Sequence, residues 1–279
     1  MPTTAGTRAR GALLAACAFA LGVAGCSLLV STSGLAGEVG SGDGGPLPGE
    51  ASTTDVGLPE AGTDADADLP PFCAALSPPP KLCADFDTGS LADFGEPNGT
   101  VTLDTALSTS APRSLSCEVP TGSAKRGALV SRSFGDTPAS YDLSFDVYVD
   151  AYDATLDVEL ITMRLAMPGD VSCGTNVSIR NSVWTVDESC EANGSQTYGI
   201  SHRSMLGMKL GRWTHIDTSV SFTARTFSLT VDGQPLFSAA PVSAALKAGP
   251  LTLLLGIVYT QTAATTAKVH LDNVRFDYR

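Results

Sequence analysis

Basic residues are scarce in this chain: 17 Lys and Arg stand against 29 Asp and Glu, a formal net charge of −12 over 279 residues. No Lys/Arg-rich stripe occurs, so the chain lacks the electrostatic footprint of a nucleic-acid binder and no such partner is expected. Histidine is limited to His202, His215 and His270. Without a G-x-S-x-G elbow, these read as surface or packing residues. No Cys-x-x-Cys pair exists, which argues against a cysteine-built metal site. Nothing shows a helical period or an internal repeat. The apolar run over residues 12–24 falls short of the roughly 20 residues needed to cross a bilayer.

That run follows Arg8 and Arg10 and ends at Val23-Ala24-Gly25-Cys26, which makes residues 1–25 a signal peptide for export. The four closing residues resemble the lipobox of bacterial lipoproteins, in which the cysteine is lipidated and becomes the mature N-terminus. The resemblance implies a palmitate-type anchor at Cys26 and a membrane partner. Ser27 in the next position resembles the pattern sent on to the outer membrane, so the expected address is the bacterial cell envelope. Export also permits disulfides. Residues 26–70 hold eight acids, no Lys or Arg, and mostly Gly, Ser, Thr, Pro and Ala. Such a stretch buries too little to offset its ordering entropy and reads as a disordered acidic tether. As a flexible coil it would reach about 35–40 Å.

From Pro71 the pattern becomes that of short strands and turns, in one domain over residues 71–279. The most informative stretch is residues 212–237. Ile216, Thr218, Val220 and Phe222 alternate on one run, and Phe227, Leu229 and Val231 on the next. A three-residue loop at Thr223-Ala224-Arg225 would pair Phe222 with Phe227, Val220 with Leu229 and Thr218 with Val231. Asp232-Gly233 supplies a second tight turn. Residues 81–87 read as a first strand, Leu115/Cys117/Val119 as another, and Leu129/Ser131 as the face of a strand before Phe134. Tyr141, Leu143, Phe145, Val147 and Val149 form an apolar face, with Asp142, Ser144, Asp146, Tyr148 and Asp150 opposite. Ile161, Met163, Leu165 and Met167 continue the pattern, and Leu253, Leu255, Ile257 and Tyr259 suit a central strand. In the last strand the apolar parity changes between Val269/Leu271 and Val274/Phe276, which predicts a β-bulge at Asp272-Asn273. About a dozen strands at intervals of roughly 8–12 residues predict an all-β, two-sheet antiparallel sandwich.

Five cysteines remain after Cys17 and Cys26. In a hairpin turning at Asn181-Ser182, Ile179 faces Trp184, Val177 faces Val186 and Cys173 faces Cys190, within disulfide reach. Trp184 then lies in the core. Cys73 and Cys83 flank Pro78-Pro79-Pro80 and are a second candidate pair; a Cys83–Cys117 bridge is the rival. Cys117 shares a face with Leu115 and Val119 and otherwise reads as a buried thiol.

The segments CADFDTGSL, SYDLSFDVYVD, WTHID…FSLTVDGQ and VHLDNVRFD together resemble a concanavalin A-like (laminin G-like) jelly roll over about residues 82–279. That resemblance implies first and last strands side by side. It also implies a structural Ca²⁺ held by Asp85 or Asp87 with Asp272; no other cofactor is expected. The superfamily includes glycan-binding modules, glycosidases and lyases, so activity has to come from the site. Its retaining glucanases carry Glu-x-Asp-x-(x)-Glu on one strand. Here Asp157 and Glu159 fit, but Thr155 stands at the nucleophile's place. No catalytic residue is therefore assigned, and Asp157/Glu159 read as a solvated acidic strand edge. Aromatics with polar neighbours suit sugars. Tyr148 beside Asp146, Trp213, and Tyr198 near His202 and Arg203 in a loop before the meander are the candidate ligand-binding residues. The expected function is non-catalytic binding of a polysaccharide or another envelope component.

Overall fold

A computed structural model describes residues 71–279; the expected signal peptide, Cys26 and the expected tether lie outside the described residues. After a 3-10 turn at Phe72–Ala75 come β1 (Leu82–Ala84), β2 (Thr100–Asp104), β3 (Ser114–Val119), β4 (Ala128–Ser133) and β5 (Ser140–Ala151). Next are β6 (Asp157–Met167), β7 (Val171–Arg180), β8 (Val183–Ala192), β9 (Ser195–Gly207) and β10 (Trp213–Ser221). The chain closes with β11 (Thr226–Val231), β12 (Gln234–Pro241), β13 (Leu251–Thr260) and β14 (Ala267–Tyr278). They form two antiparallel sheets: β12-β11-β10-β5-β14-β3-β2, with β1 also against β14, and β4-β13-β6-β7-β8-β9.

Period-two alternation builds the core between the sheets. On β5, Tyr141, Leu143, Phe145, Val147 and Val149 are buried, while Asp142 and Asp150 are exposed. Each such side chain contributes on the order of 1.5–3 kcal/mol by leaving water. Trp184 is buried opposite Ile179, and Val177 faces Val186, in the register the two-residue turn dictates. Asn181 and Ser182 both have positive φ, as a type I′ turn requires. Cys173–Cys190 closes that hairpin and Cys73–Cys83 ties the first strand to the entering turn, leaving Cys117 as a buried free thiol. The bulge at Asp272-Asn273 is present: pairing to β5 slips between Asp272 and Arg275, with Asn273 at φ +50°.

Four expectations need correction. β10 and β11 pair Val220 with Phe227, Thr218 with Leu229 and Ile216 with Val231, two residues off the expected register. Phe222 belongs to the loop, where it packs edge-on to Tyr141 and donates its amide to Ala139, and Arg225 turns the chain at φ +57°. A slip of two keeps the same face buried, so alternation alone cannot detect it. The first strand is only Leu82–Ala84, because Phe86 takes a positive φ. On β4 the buried pair is Ala128/Val130 rather than Leu129/Ser131. Finally, β6 lies inside its sheet between β13 and β7, so Asp157 and Glu159 are not on an edge.

Candidate functional site

On β6 the alternation that buries Ile161, Met163 and Leu165 would carry Glu159 into the core. A bulge between Glu159 and Ile161 prevents this: Ile161 pairs with Val177 and Glu159 with Ser178. Glu159 is thereby turned to the outer face of the six-stranded sheet. There it joins outward residues of three more strands: Asn176, Ser178 and Arg180 from β7, Asp187, Ser189 and Glu191 from β8, and Ser201 from β9. A groove of about 350 Å³ runs among all of these but Ser178. A smaller recess of about 70 Å³ extends it past Glu159 and Asn176 toward Arg164 and Gly174.

This face points away from the core, yet several of its polar groups are out of solvent. Ser178 is 1% exposed, Asn176 5% and Asp187 7%. Ser178 Oγ, Asn176 Oδ1, Thr162 Oγ1 and Asp187 Oδ1 are buried without a hydrogen-bond partner among the described residues. Leaving such groups unmade costs about 1–3 kcal/mol each. Arg180 sits between two acids, 3.0 Å from Asp157 and 3.5 Å from Asp187. Burial pushes the Glu159 carboxyl up to about 7, and repulsion from Asp187 adds to it, against the partial relief of Arg180. A carboxyl so poised can both accept and donate a hydrogen bond near neutral pH.

The opposite surface, the outer face of the eight-stranded sheet, holds the other candidate residues. Tyr148 and Trp213 are paired across β5 and β10 with ring centroids 5.6 Å apart. Asp146 lies one outward rung further and is saturated: His215 Nδ1 is 2.6 Å from one oxygen, Asn273 Nδ2 and Thr109 Oγ1 donate to the other. Burial raises its carboxyl, but these hydrogen bonds outweigh it and hold the group below its ordinary range.

Tyr198, His202 and Arg203 do not join this group. They lie on strand β9, not in a loop, and at the edge of the other sheet. His202 turns inward, 3.0 Å from the buried Glu188 and 4.7 Å from the ring of Phe227, where it seals the sandwich edge. Tyr198 likewise packs against the core, opposite Cys190; Arg203 is exposed. The stretch reads as a loop because its inward residues are Tyr, His and Ser rather than Val or Leu.

The expected Ca²⁺ ligands are brought together but do not fit the ion. Asp272 takes hydrogen bonds from the amides of Thr109, Ser110 and Asn273 and from the hydroxyl of Ser110. Asp85 accepts from the amides of Cys73 and Asp87. Among the three carboxylates of Asp85, Asp87 and Asp272 only Asp87 Oδ2 is left without a donor, far short of the six to eight ligands Ca²⁺ takes. Among the described residues no group of three His, Cys, Asp or Glu side chains is disposed to hold a metal. Burial, with Asp85 and Asp272 close by, instead raises the Asp87 carboxyl.

Two antiparallel sheets with neighbouring first and last strands define a jelly-roll β-sandwich. No family model matches the chain, and no curated protein matches it in sequence. Solved structures match in fold. The cellulose induced protein Cip1 aligns with a TM-score of 0.51 at 12% identity, covering 70% of this chain and 96% of that one. The alginate lyase vAL-1 from Chlorella virus aligns at 0.46 and 10% identity, covering 71% and 99%. An alginate lyase from Pseudomonas aeruginosa aligns at 0.40 and 15%, covering 60% and 83%. At such identities the likeness is one of fold.

Proposed function

We propose that the protein is an exported lipoprotein, anchored through Cys26 in the bacterial envelope, whose sandwich binds a glycan on the outer face of the six-stranded sheet. The observation that carries the reading is a groove of about 350 Å³ lined by Asn176 and Asp187, whose Oδ1 atoms are buried and unpartnered, with the unpartnered Thr162 hydroxyl in the adjoining recess. Sugar hydroxyls both donate and accept, so one polyol can satisfy several such groups at once. The charges favour a neutral glycan. Asp157, Glu159, Asp187 and Glu191 nearly balance Arg164, Arg180 and Arg203, and the balance is closest when Glu159 is protonated. The likeness of fold to a protein named for its induction by cellulose is in keeping with this.

The test is a glycan array and affinity electrophoresis with the full chain in detergent. Binding to a neutral polysaccharide is expected, weakened at least about tenfold by Asn176→Ala or Asp187→Ala. No binding to any glycan, or binding indifferent to both substitutions, overturns the reading. Anchoring has its own test: Cys26→Ala removes the protein from the membrane fraction, and unchanged detergent partitioning counts against the lipid.

A second reading, glycan cleavage, is favoured by one observation: the Glu159 carboxyl at about 7 is poised as a general acid. Reducing-sugar release lost on Glu159→Gln would replace binding with catalysis.

A further inference from the structure

The other sheet carries an arrangement that glycan binding does not use. Three successive outward rungs of the β5–β10 ladder pair Tyr148 with Trp213, Asp146 with His215 and Ser144 with Asp217. His215 spans two of them: its Nδ1 is 2.6 Å from Asp146 Oδ1, and its Nε2 is 3.2 Å from Ser144 Oγ. We propose that Ser144, His215 and Asp146 form a nucleophile–base–acid relay that hydrolyses small acyl esters.

The parts stand in the order such chemistry requires. Asp146 is positioned on its far side by Asn273 at 2.8 Å and Thr109 at 3.0 Å, so it is held to the ring. The His215 amide donates to Asp232 at 2.9 Å, and Asp232 is in turn ion-paired with Arg212. Ser144 opens onto a groove of about 330 Å³, lined also by Asp217, Thr230, Arg275, Asp277 and Arg279. Arg275 is paired with Ser144 across β5 and β14, is exposed and lines the same groove, which makes its guanidinium the cation available to an oxyanion formed there. On the other side Trp213 and Tyr148 offer a ring platform for the alcohol half of an ester.

The steps balance with water as the only co-reactant. His215 Nε2 takes the Ser144 proton as Oγ bonds to the ester carbonyl carbon, whose π pair moves onto its oxygen beside Arg275. Collapse breaks the carbon–alkoxy bond, and the alcohol leaves with the proton from Nε2. Water then attacks the acyl-serine by the same route, releasing the acid and restoring Ser144. The groups facing the ring are Asp146 and Asp217, the latter 3.4 Å from Nε2, with Asp142, Arg275 and Asp277 further along the face. The two nearest acids stabilise the imidazolium formed in each step. The hydrogen bond that its Nδ1 donates to Asp146 also raises the resting pKa of His215, so activity rises with pH as the ring loses its proton.

The test is labelling of the full chain with a fluorophosphonate, mapped by mass spectrometry, together with p-nitrophenyl acetate hydrolysis from pH 6 to 9. Label at Ser144 is expected. Labelling and turnover should fall about 10²–10⁴-fold in Ser144→Ala and His215→Gln, with circular dichroism unchanged. No label, label on a different serine, or label at Ser144 that survives His215→Gln at full rate overturns the proposal. Because these residues lie on the opposite face, glycan binding is expected to be unaffected in both variants.

Discussion

The outer faces of the two sheets both carry carboxylates on polar strands, and they handle them differently. On the eight-stranded sheet Asp272 and Asp146 are enclosed by donors: the loop bearing Thr109 and Ser110 folds over them and supplies hydrogen bonds. On the six-stranded sheet Glu159 and Asp187 crowd together, Arg180 serves two acids, and buried oxygens stay without partners. For those two carboxylates the partners come from within the fold, although the His270 ring nitrogens and Asn273 Oδ1 on the same face lack partners among the described residues. The six-stranded sheet leaves stability unused around a groove, which is the usual character of a place meant for something else to enter.

Breaking the frame beneath the acidic face is expected to have the largest effect. Replacing Cys173 and Cys190 together by Ala removes a bridge of sequence separation 17. A loss of about 3 kcal/mol, read from urea unfolding, is expected. Next comes a direct contrast between the faces. Asp272→Ala strands the donors of Thr109 and Ser110 and should cost roughly 2–3 kcal/mol, whereas Asp187→Ala should change stability by less than about 1 kcal/mol. Equal losses at both positions would erase the distinction.

The pH dependence sharpens it further. Glu159 moves from its ordinary 4.5 to about 7, so between those values the folded state holds more protons than the unfolded chain. Stability therefore falls as pH rises through that window, and the penalty is complete above it. Glu159→Gln should raise the melting temperature at pH 8, by about 1–3 kcal/mol in stability, and leave it nearly unchanged at pH 4. His215 runs the same way for the opposite chemical reason. Its pKa is raised by hydrogen bonding to Asp146, so its contribution is present at low pH and disappears as pH rises through the folded value. The ring is nearly half exposed, so His215→Gln should cost only a few tenths of a kcal/mol at pH 6, and less at pH 9.

Much of the frame was legible where short-range geometry allows a single answer. A two-residue turn at Asn181-Ser182 fixes the β7–β8 register, and with it the Cys173–Cys190 bridge. The change of parity after Leu271 located the bulge at Asp272-Asn273. The β10–β11 register was not legible, because Phe222 is apolar and alternates correctly yet turns in the loop. The candidate site was harder still. Tyr148, Asp146 and Trp213 were singled out from the sequence, and the structure sets the Tyr148 and Trp213 rings together across β5 and β10, with Asp146 one rung away against His215. Glu159 was seen, but its environment was misread as an open edge.

By itself, then, the sequence determined the all-β sandwich, the faces of most strands and the Cys173–Cys190 bridge, while Cys73–Cys83 was one of two pairings left open. The features it determined follow from alternation, turn chemistry and composition, all of which act between residues close along the chain. The tertiary structure decided which outward residues share a surface. Glu159, Asn176 and Asp187 sit on three strands and become neighbours through β6–β7–β8 pairing and a bulge on β6. Ser144, His215 and Asp146 meet only because β10, some seventy residues later in the chain, lies beside β5. Burial, and with it the displaced carboxyl of Glu159, arises from that packing, since desolvation depends on what lies above and beside a group and not on its neighbours in the chain.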